Sequence, residues 1–348
     1  MRALQYRTIG AGPELVEIDE PEPGPGQVLV RVTAAGVCHS DDHVMSWPAD
    51  AFPFPLPLTL GHEGAGTVEA LGDGASGVEV GDSVLVYGPW GCGTCWQCGQ
   101  GWENYCTRAA ELGIAPPGLG APGAMADYLI VDSPRHLVPI GELDPATAVP
   151  LTDAGLTPYH AIRRSLERIR PGAWSVVIGA GGLGHVAVQL LKVMTPTQVL
   201  VVDRRQEQLD HAASIGADAT VLSADGVDVA AAIREHVGPE GATLVLDIVG
   251  VQTTIDTAVA VAGIGADVTI VGIGDPTATA KIGWGQQAHE VNVAATYWGG
   301  RHELLEVVDL ARAGVLDIVI ERFSLDDGVE AYRRMSAGTL TGRAVVVP

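Results

Sequence analysis

The sequence predicts an α/β protein of two domains, one rich in short strands and the other built on a parallel sheet. Three observations predict it. At 348 residues the chain exceeds what one compact core organises and falls short of three. Early in the chain, strand-length runs at 27–34, 66–70, 83–86 and 127–131 are separated by turns dense in glycine and proline. After Pro171-Gly172, apolar runs at 175–178, 198–203, 244–249 and 268–273 alternate with helix-length amphipathic segments, the rhythm of βαβ units. Near residue 299 the pattern shifts again, and 323–348 offers a helix followed by the strand-like run 344–347, a tail able to return to the first domain. The stretch 176–194 is apolar enough to suggest a membrane span. Gly179, Gly181, Gly182, Gly184, His185, Gln189 and Lys192 interrupt it, so a buried strand, turn and helix explain it better.

Composition narrows the function classes. Apolar residues make up 47% and charged residues 18%, with 45 glycines and 22 prolines scattered along the chain, which describes a globular protein and argues against disorder. The formal charge of −22, from 42 acidic against 20 basic residues, repels phosphate backbones and anionic membrane surfaces, so neither nucleic acid nor membrane is an expected partner. Residues 1–20 alternate polar and apolar side chains with no apolar core ahead of a cleavage site, and the expected location is cytoplasmic.

Gly179-Ala180-Gly181-Gly182-Leu183-Gly184 follows a strand-like run and opens a helix-like one, the context in which Gly-x-Gly-x-x-Gly binds a dinucleotide. The first glycine permits the tight turn, the second lets backbone N–H groups approach a pyrophosphate, and the third allows close packing of helix on strand. Asp203 ends the next strand-like run nineteen residues after Gly184, placed to accept from an adenosine ribose diol and to repel a 2′-phosphate. The second domain is therefore expected to be a Rossmann fold that takes NAD, although Arg204 and Arg205 next door soften the preference.

The five cysteines fall into two groups. Cys92, Cys95, Cys98 and Cys106 form C-x2-C-x2-C-x7-C among glycines, a spacing that suits four thiolates on one tetrahedral zinc with no open coordination position. Disulfides and an iron–sulfur cluster are rivals, and spacing alone leaves the cluster open. Cys38 begins Cys38-His39-Ser40-Asp41-Asp42-His43, and His62, Glu63 and Asp153 supply further candidate ligands downstream. One thiolate, one imidazole and one carboxylate would leave a metal position open for substrate, as catalysis requires. Spacing over a hundred residues does not bring the three together, and singly His62 reads as an ordinary polar side chain, Asp153 and Ser40 as helix caps, and His43 as a solvated histidine.

With these motifs in order, the chain resembles the zinc-containing medium-chain dehydrogenases, and among them bacterial secondary alcohol dehydrogenases. The resemblance rests on Cys38-His39-Ser40-Asp41, Gly61-His62-Glu63-Gly64-Ala65-Gly66, the four-cysteine lobe, the glycine loop and Leu151-Thr152-Asp153-Ala154-Gly155-Leu156-Thr157, and covers nearly the whole chain. It implies a β-rich GroES-like catalytic domain at 1–154 and 300–348, split by a Rossmann domain at 155–299. It implies two zinc ions per chain, one in the four-cysteine lobe and one on Cys38, His62 and Asp153 with Glu63 as alternative ligand. Asp41 then orients the imidazole of His62. Ser40 and His43 match the family's relay, which carries the alcohol proton to solvent while the hydride goes to the nicotinamide. Thr157 matches a residue packed against the nicotinamide, and His39 and Arg343 match groups near the pyrophosphate.

The resemblance also places Trp47, Phe54, Leu119, Trp284, Tyr297 and Trp298 near the substrate. A mostly apolar pocket implies small or aryl-bearing secondary alcohols and ketones, although such aromatics also fill cores and interfaces. A polyol dehydrogenase keeps every motif. A zinc-free reductase of the same fold would lack Cys38, His62 and the lobe, and a nucleic-acid zinc module conflicts with the charge. Members of the family are commonly homodimers or homotetramers, and an exposed strand of the cofactor domain would serve for pairing.

Overall fold

The computed structural model describes residues 1–274, 277–281 and 283–348. The chain divides into two compact units. One holds Met1–Asp153, Gly299–Ala313 and Ile318–Pro348, the other Ala154–Trp298 and Gly314–Asp317. Gly314–Asp317 lie with the second unit, which departs from an unbroken return over 300–348. The reason is local: the Gln189 side chain donates to the carbonyl of Asp317 at 2.8 Å and accepts from its N–H at 2.7 Å.

The second unit is a six-stranded parallel sheet. In space it runs Ala219–Leu222, Gln198–Asp203, Trp174–Ile178, Ala242–Asp247, Ala262–Ile270, Asn292–Ala295, which is order 3-2-1-4-5-6 along the chain. Helices Gly184–Met194, Gln206–Ser214, Val229–Val237 and Gln252–Val261 pack against its strands. With the sheet covered, its strands are almost continuously apolar, and Val176, Val177, Leu200, Val201, Leu244 and Val245 are fully buried. The order reverses between Trp174–Ile178 and Ala242–Asp247, the place where such sheets bind ligands at the carboxyl ends of their strands. The strand expected from residue 268 starts at Ala262, because Gly263 and Gly265 dilute its apolar run.

In the first unit, a mixed sheet runs Ile320–Ser324, Arg343–Val347, Val28–Gly36, Glu63–Leu71, Ser83–Val86, Leu137–Pro139, with Tyr128–Val131 also on Val28–Gly36. A smaller antiparallel sheet joins Glu14–Glu17, Arg2–Tyr6 and Leu58–Thr59. The tail does return here. Arg343–Val347 pairs antiparallel with Val28–Gly36, and helix Gly328–Ser336 buries Ala331, Tyr332 and Met335 in the core with Leu4, Tyr6, Val30 and Leu129. Each such large apolar side chain contributes about 1.5–3 kcal/mol on burial. Under the segment carrying the four cysteines, fully buried His136 bridges Asp132 at 2.5 Å and Glu103 at 3.0 Å and stacks on Trp90. Arg135 adds a bond to Glu103 at 2.7 Å and one to the carbonyl of Gly91. Among the described residues no helix is long and apolar enough to cross a membrane.

Candidate active site

Two clusters of metal-ligating side chains form in the first unit. Cys92, Cys95, Cys98 and Cys106 each offer a sulfur within 4.8 Å of the others, with Cys95–Cys98, Cys95–Cys106 and Cys92–Cys98 at 3.4, 3.9 and 4.0 Å. A disulfide needs about 2.05 Å, so these are free thiols. Sulfurs on a tetrahedron with ~2.3 Å zinc bonds stand about 3.8 Å apart, which matches, whereas a cluster of several irons and sulfides needs more room. The backbone turns its donors on the sulfurs: Cys92 N–H to Cys106 Sγ at 3.3 Å, and Cys95 N–H to Cys92 Sγ at 3.3 Å. The hydroxyl and N–H of Thr94 pull the Cys92 thiol down to about 5, while burial pushes Cys98 up to about 12.

In the second cluster Cys38, His62, Glu63 and Asp153, all buried, bring one ligand atom each within 4.8 Å of the rest. Cys38 lies between strand Val28–Gly36 and helix His39–Met45, and Glu63 starts strand Glu63–Leu71 beside it. Gly61 sets the approach to His62. Its φ of 93° is open to glycine, and a Cβ there would stand 2.8 Å from the backbone nitrogen of Met125. Asp153 follows the short turn Val149–Thr152, and its Oδ2 accepts from the Cys38 thiol at 3.3 Å and lies 3.8 Å from His62 Nε2. His62 Nδ1 is held by Asp41 Oδ1 at 2.9 Å, and the other oxygen of Asp41 accepts from the Tyr332 hydroxyl at 2.8 Å.

The electrostatics of this cluster call for a cation. Burial resists a charge on His62, but Asp41, Cys38 and Asp153 outweigh it and lift its pKa well above the usual imidazole range. Arg343 brings its guanidinium to both carboxylates, on Glu63 and, at 3.1 Å, on Asp153. Sulfur, imidazole and carboxylate donors at 3.3–3.8 Å are the set and spacing of a zinc with an open position.

The remaining predicted residues separate into two groups. In the first unit, Cys38 is the N-cap of helix His39–Met45 and makes no side-chain cap bond. Ser40 is therefore not the cap; its Oγ lies 3.6 Å from Cys38 Sγ. His43 packs edge-on against Trp47, which stacks on Phe54. His39 is 70% exposed beside Asp42, and Leu119 is half-buried. Arg343, expected near a pyrophosphate, is 5% exposed and engaged with Glu63 and Asp153, because strand Arg343–Val347 carries it into the sheet beside them. Asp153 caps no helix, since Gly155 is the N-cap of Leu156–Ser165.

In the second unit, Gly179 has φ 95° and a Cβ on Gly184 would lie 1.9 Å from the carbonyl oxygen of Gly179, so the loop and helix touch. A Cβ on Gly181 would meet nothing within 4 Å, leaving a cradle of the kind a pyrophosphate occupies, with Gly182 and Leu183 completing the turn into helix Gly184–Met194. Asp203 closes the loop, accepting from the N–H of Ala180 at 2.8 Å and of Arg205 at 2.9 Å. Arg204 is exposed, Thr157 is buried in the first turn of its helix, and Trp298 is 5% and Tyr297 46% exposed. Trp284, expected to line a pocket, is 92% exposed, with nothing among the described residues covering it. Nothing in the sequence marks Tyr332, which lies 291 residues from the aspartate it touches.

Comparison with known proteins agrees with the geometry. Residues 24–142 match the alcohol dehydrogenase GroES-like domain and residues 182–313 the zinc-binding dehydrogenase domain. An NAD-dependent alcohol dehydrogenase of Sulfurisphaera tokodaii is 34% identical over the full length of both chains. The chain belongs to the zinc-containing medium-chain alcohol dehydrogenase family. As a member it is an NAD-dependent alcohol dehydrogenase that uses zinc. The alcohol dehydrogenase of Aeropyrum pernix superposes on this dehydrogenase with a TM-score of 0.91 at 31% identity, both chains covered completely. Acetophenone reductase from Geotrichum candidum, solved with NAD, gives 0.88 at 29%, covering 100% of this chain and 97% of that one. D-arabinose 1-dehydrogenase (NADP(+)) of Saccharolobus solfataricus is 32% identical, covering 95% of this chain and 93% of its own.

Proposed function

We propose that this alcohol dehydrogenase oxidises small or aryl-bearing secondary alcohols and reduces the matching ketones, with Cys38, His62 and Asp153 holding the catalytic zinc and Glu63 as alternative ligand. The observation that carries the site assignment is the buried convergence of those four side chains within 4.8 Å. When bound, the zinc supplies a Lewis acid to the substrate oxygen and the NAD accepts or returns the hydride. Asp41, on His62 Nδ1, fixes the tautomer that leaves Nε2 as the ligand atom. Ser40 and His43 sit three residues apart on one helix and so share a face. Ser40 Oγ takes the hydroxyl proton and His43, half-buried, releases it towards solvent.

Cys92, Cys95, Cys98 and Cys106 close around the structural zinc. Gly179, Gly181, Gly182, Leu183 and Gly184 cradle the pyrophosphate, Asp203 reads the ribose with Arg204 beside it, and Thr157 packs on the nicotinamide. His39 and Arg343 complete the proposed cofactor-binding set, Arg343 being held by Glu63 and Asp153 in this structure. Trp47, Leu119, Tyr297 and Trp298 are the proposed substrate-facing residues. The stacked Trp47 and Phe54 beside His43 support an apolar, aryl-tolerant site. The likeness to a D-arabinose dehydrogenase favours a second reading, a polyol or sugar substrate. The unpaired outer edge of Asn292–Ala295, among the described residues, supports a homodimer or homotetramer, and five free thiols support a cytoplasmic setting.

Zinc content per chain, with NAD reduction by 2-propanol before and after gentle chelation, tests the metal assignment. Two zincs are expected, with activity lost as the more labile one leaves. One zinc and unchanged activity would remove the catalytic site. A panel of 2-propanol, 1-phenylethanol, ethanol and D-arabinose tests the substrate: the first two should turn over best, and fastest turnover of ethanol or D-arabinose refutes it.

A further inference from the structure

We propose that Tyr332 is a positioning residue for the catalytic metal, acting through Asp41 on His62. The inference rests on Cys38, His62 and Asp153 being the metal set. Asp41 is fully buried, and among the described residues Oδ1 faces His62 Nδ1 at 2.9 Å and Oδ2 accepts from the Tyr332 hydroxyl at 2.8 Å. A buried carboxylate needs its lone pairs satisfied, and losing a donor there costs about 1–3 kcal/mol or more. Tyr332 supplies that donor from a rigid mount. Its ring is 3% exposed and packed in the core of the first unit with Leu325, Ala331 and Met335, so the hydroxyl has little freedom. A second bond on the same helix, Ser336 Oγ to Asp42 Oδ2 at 2.7 Å, fastens helix Gly328–Ser336 to helix His39–Met45.

The chemistry of the three groups makes the line directional. Burial, reinforced by the negative charge of Asp41, holds the phenol proton well above the ordinary tyrosine range, so the hydroxyl donates at every working pH. Asp41 then keeps Oδ1 for the N–H of His62, and the imidazole is held with its Nε2 towards Cys38 and Asp153. Without the hydroxyl, Asp41 Oδ2 is left buried and unpaired. The carboxylate turns to find another donor, and the imidazole loses its orientation.

The test compares Tyr332→Phe with wild type and Ser336→Ala as zinc-loaded enzymes. Tyr332→Phe keeps the ring and its packing. Zinc release to excess chromophoric chelator is followed over time, and the visible spectrum is recorded after cobalt is exchanged into the catalytic site. Outer partners of metal ligands typically matter by 10–100-fold in metal affinity. Tyr332→Phe should therefore release one zinc at least about tenfold faster, keep the four-cysteine zinc at the wild-type rate, and shift the cobalt bands. Alcohol kcat should fall while the NAD KM stays. Ser336→Ala removes the exposed tie and the bond of the same hydroxyl to the Tyr332 carbonyl, leaves the Tyr332 hydroxyl in place, and should release zinc like wild type. Release and cobalt spectrum unchanged in Tyr332→Phe would overturn the proposal, and so would equal acceleration by Ser336→Ala, which would make helix docking the cause. Wild-type enzyme that carries only the four-cysteine zinc would overturn both the proposal and the metal set beneath it.

Discussion

Two alanine substitutions in one loop should have opposite consequences, because the two glycines face different things. A Cβ on Gly184 would lie 1.9 Å from the oxygen and 2.8 Å from the carbon of the Gly179 carbonyl, both backbone atoms. The loop or helix must retreat by about 1 Å, an overpacking that typically costs about 1–3 kcal/mol. For a domain of this size 1 kcal/mol corresponds to roughly 2–4 °C, so at 2 kcal/mol Gly184→Ala should melt about 4–8 °C lower without any cofactor. A Cβ on Gly181 meets no atom within 4 Å. Gly181→Ala should therefore melt like wild type, yet its methyl stands where the pyrophosphate approaches. One or two charged hydrogen bonds at about 1.5–3 kcal/mol each would be lost, which is about 10–100-fold or more in NAD affinity. Differential scanning fluorimetry without cofactor and fluorescence titration with NAD measure the pair. Wild-type NAD affinity in Gly181→Ala would refute the loop as the pyrophosphate cradle, and an unchanged melting point in Gly184→Ala would refute the packing between loop and helix.

Asp203→Ala should raise kcat/KM for NADP relative to NAD by about tenfold or more, since a charge that repels a 2′-phosphate is gone. NAD affinity should fall as well, because Asp203 also holds the N–H groups of Ala180 and Arg205. An unchanged ratio in steady-state kinetics removes Asp203 from cofactor selection. A pH effect is expected at the N-terminal strand. Burial resists the charge on Asp127, but two bonds from Arg2 outweigh it and hold the carboxyl below its usual range. The folded pKa is depressed, so the pair's contribution is complete above the unfolded carboxylate pKa near 3.9 and is lost as pH falls through the folded value. With Arg2 38% exposed, the contribution is about 0.5–1 kcal/mol. Asp127→Asn should unfold earlier in urea at pH 7 and match wild type at the acid end, and a deficit that persists there contradicts the assignment.

The sequence by itself determined what is written locally. The four cysteines at C-x2-C-x2-C-x7-C, the loop from Gly179 to Gly184 and the strand 198–203 ending in Asp203 each depend on a short span of chain. Period and spacing along one element fix which side chains can meet. Strand 83–86 was legible for the same reason. Strands Arg2–Tyr6 and Ile320–Ser324 were not, because their alternation is short and mixed with charge, and only pairing with Glu14–Glu17 and Arg343–Val347 makes them strands.

The tertiary structure decided what depends on distant parts of the chain meeting. Cys38 and Asp153 stand 115 residues apart, and no local period relates them; the sheet and the turn Val149–Thr152 close the distance. The same holds for Arg343, whose place on the carboxylates of Glu63 and Asp153 follows from a last strand laid beside Val28–Gly36. Tyr332 is the extreme case. The sequence offers a helix here, but that one hydroxyl on it meets Asp41 is a matter of how helix Gly328–Ser336 packs on helix His39–Met45. Local propensity decides which elements form, whereas non-local packing decides which polar atoms they bury together, and this metal site is made of the second kind of contact.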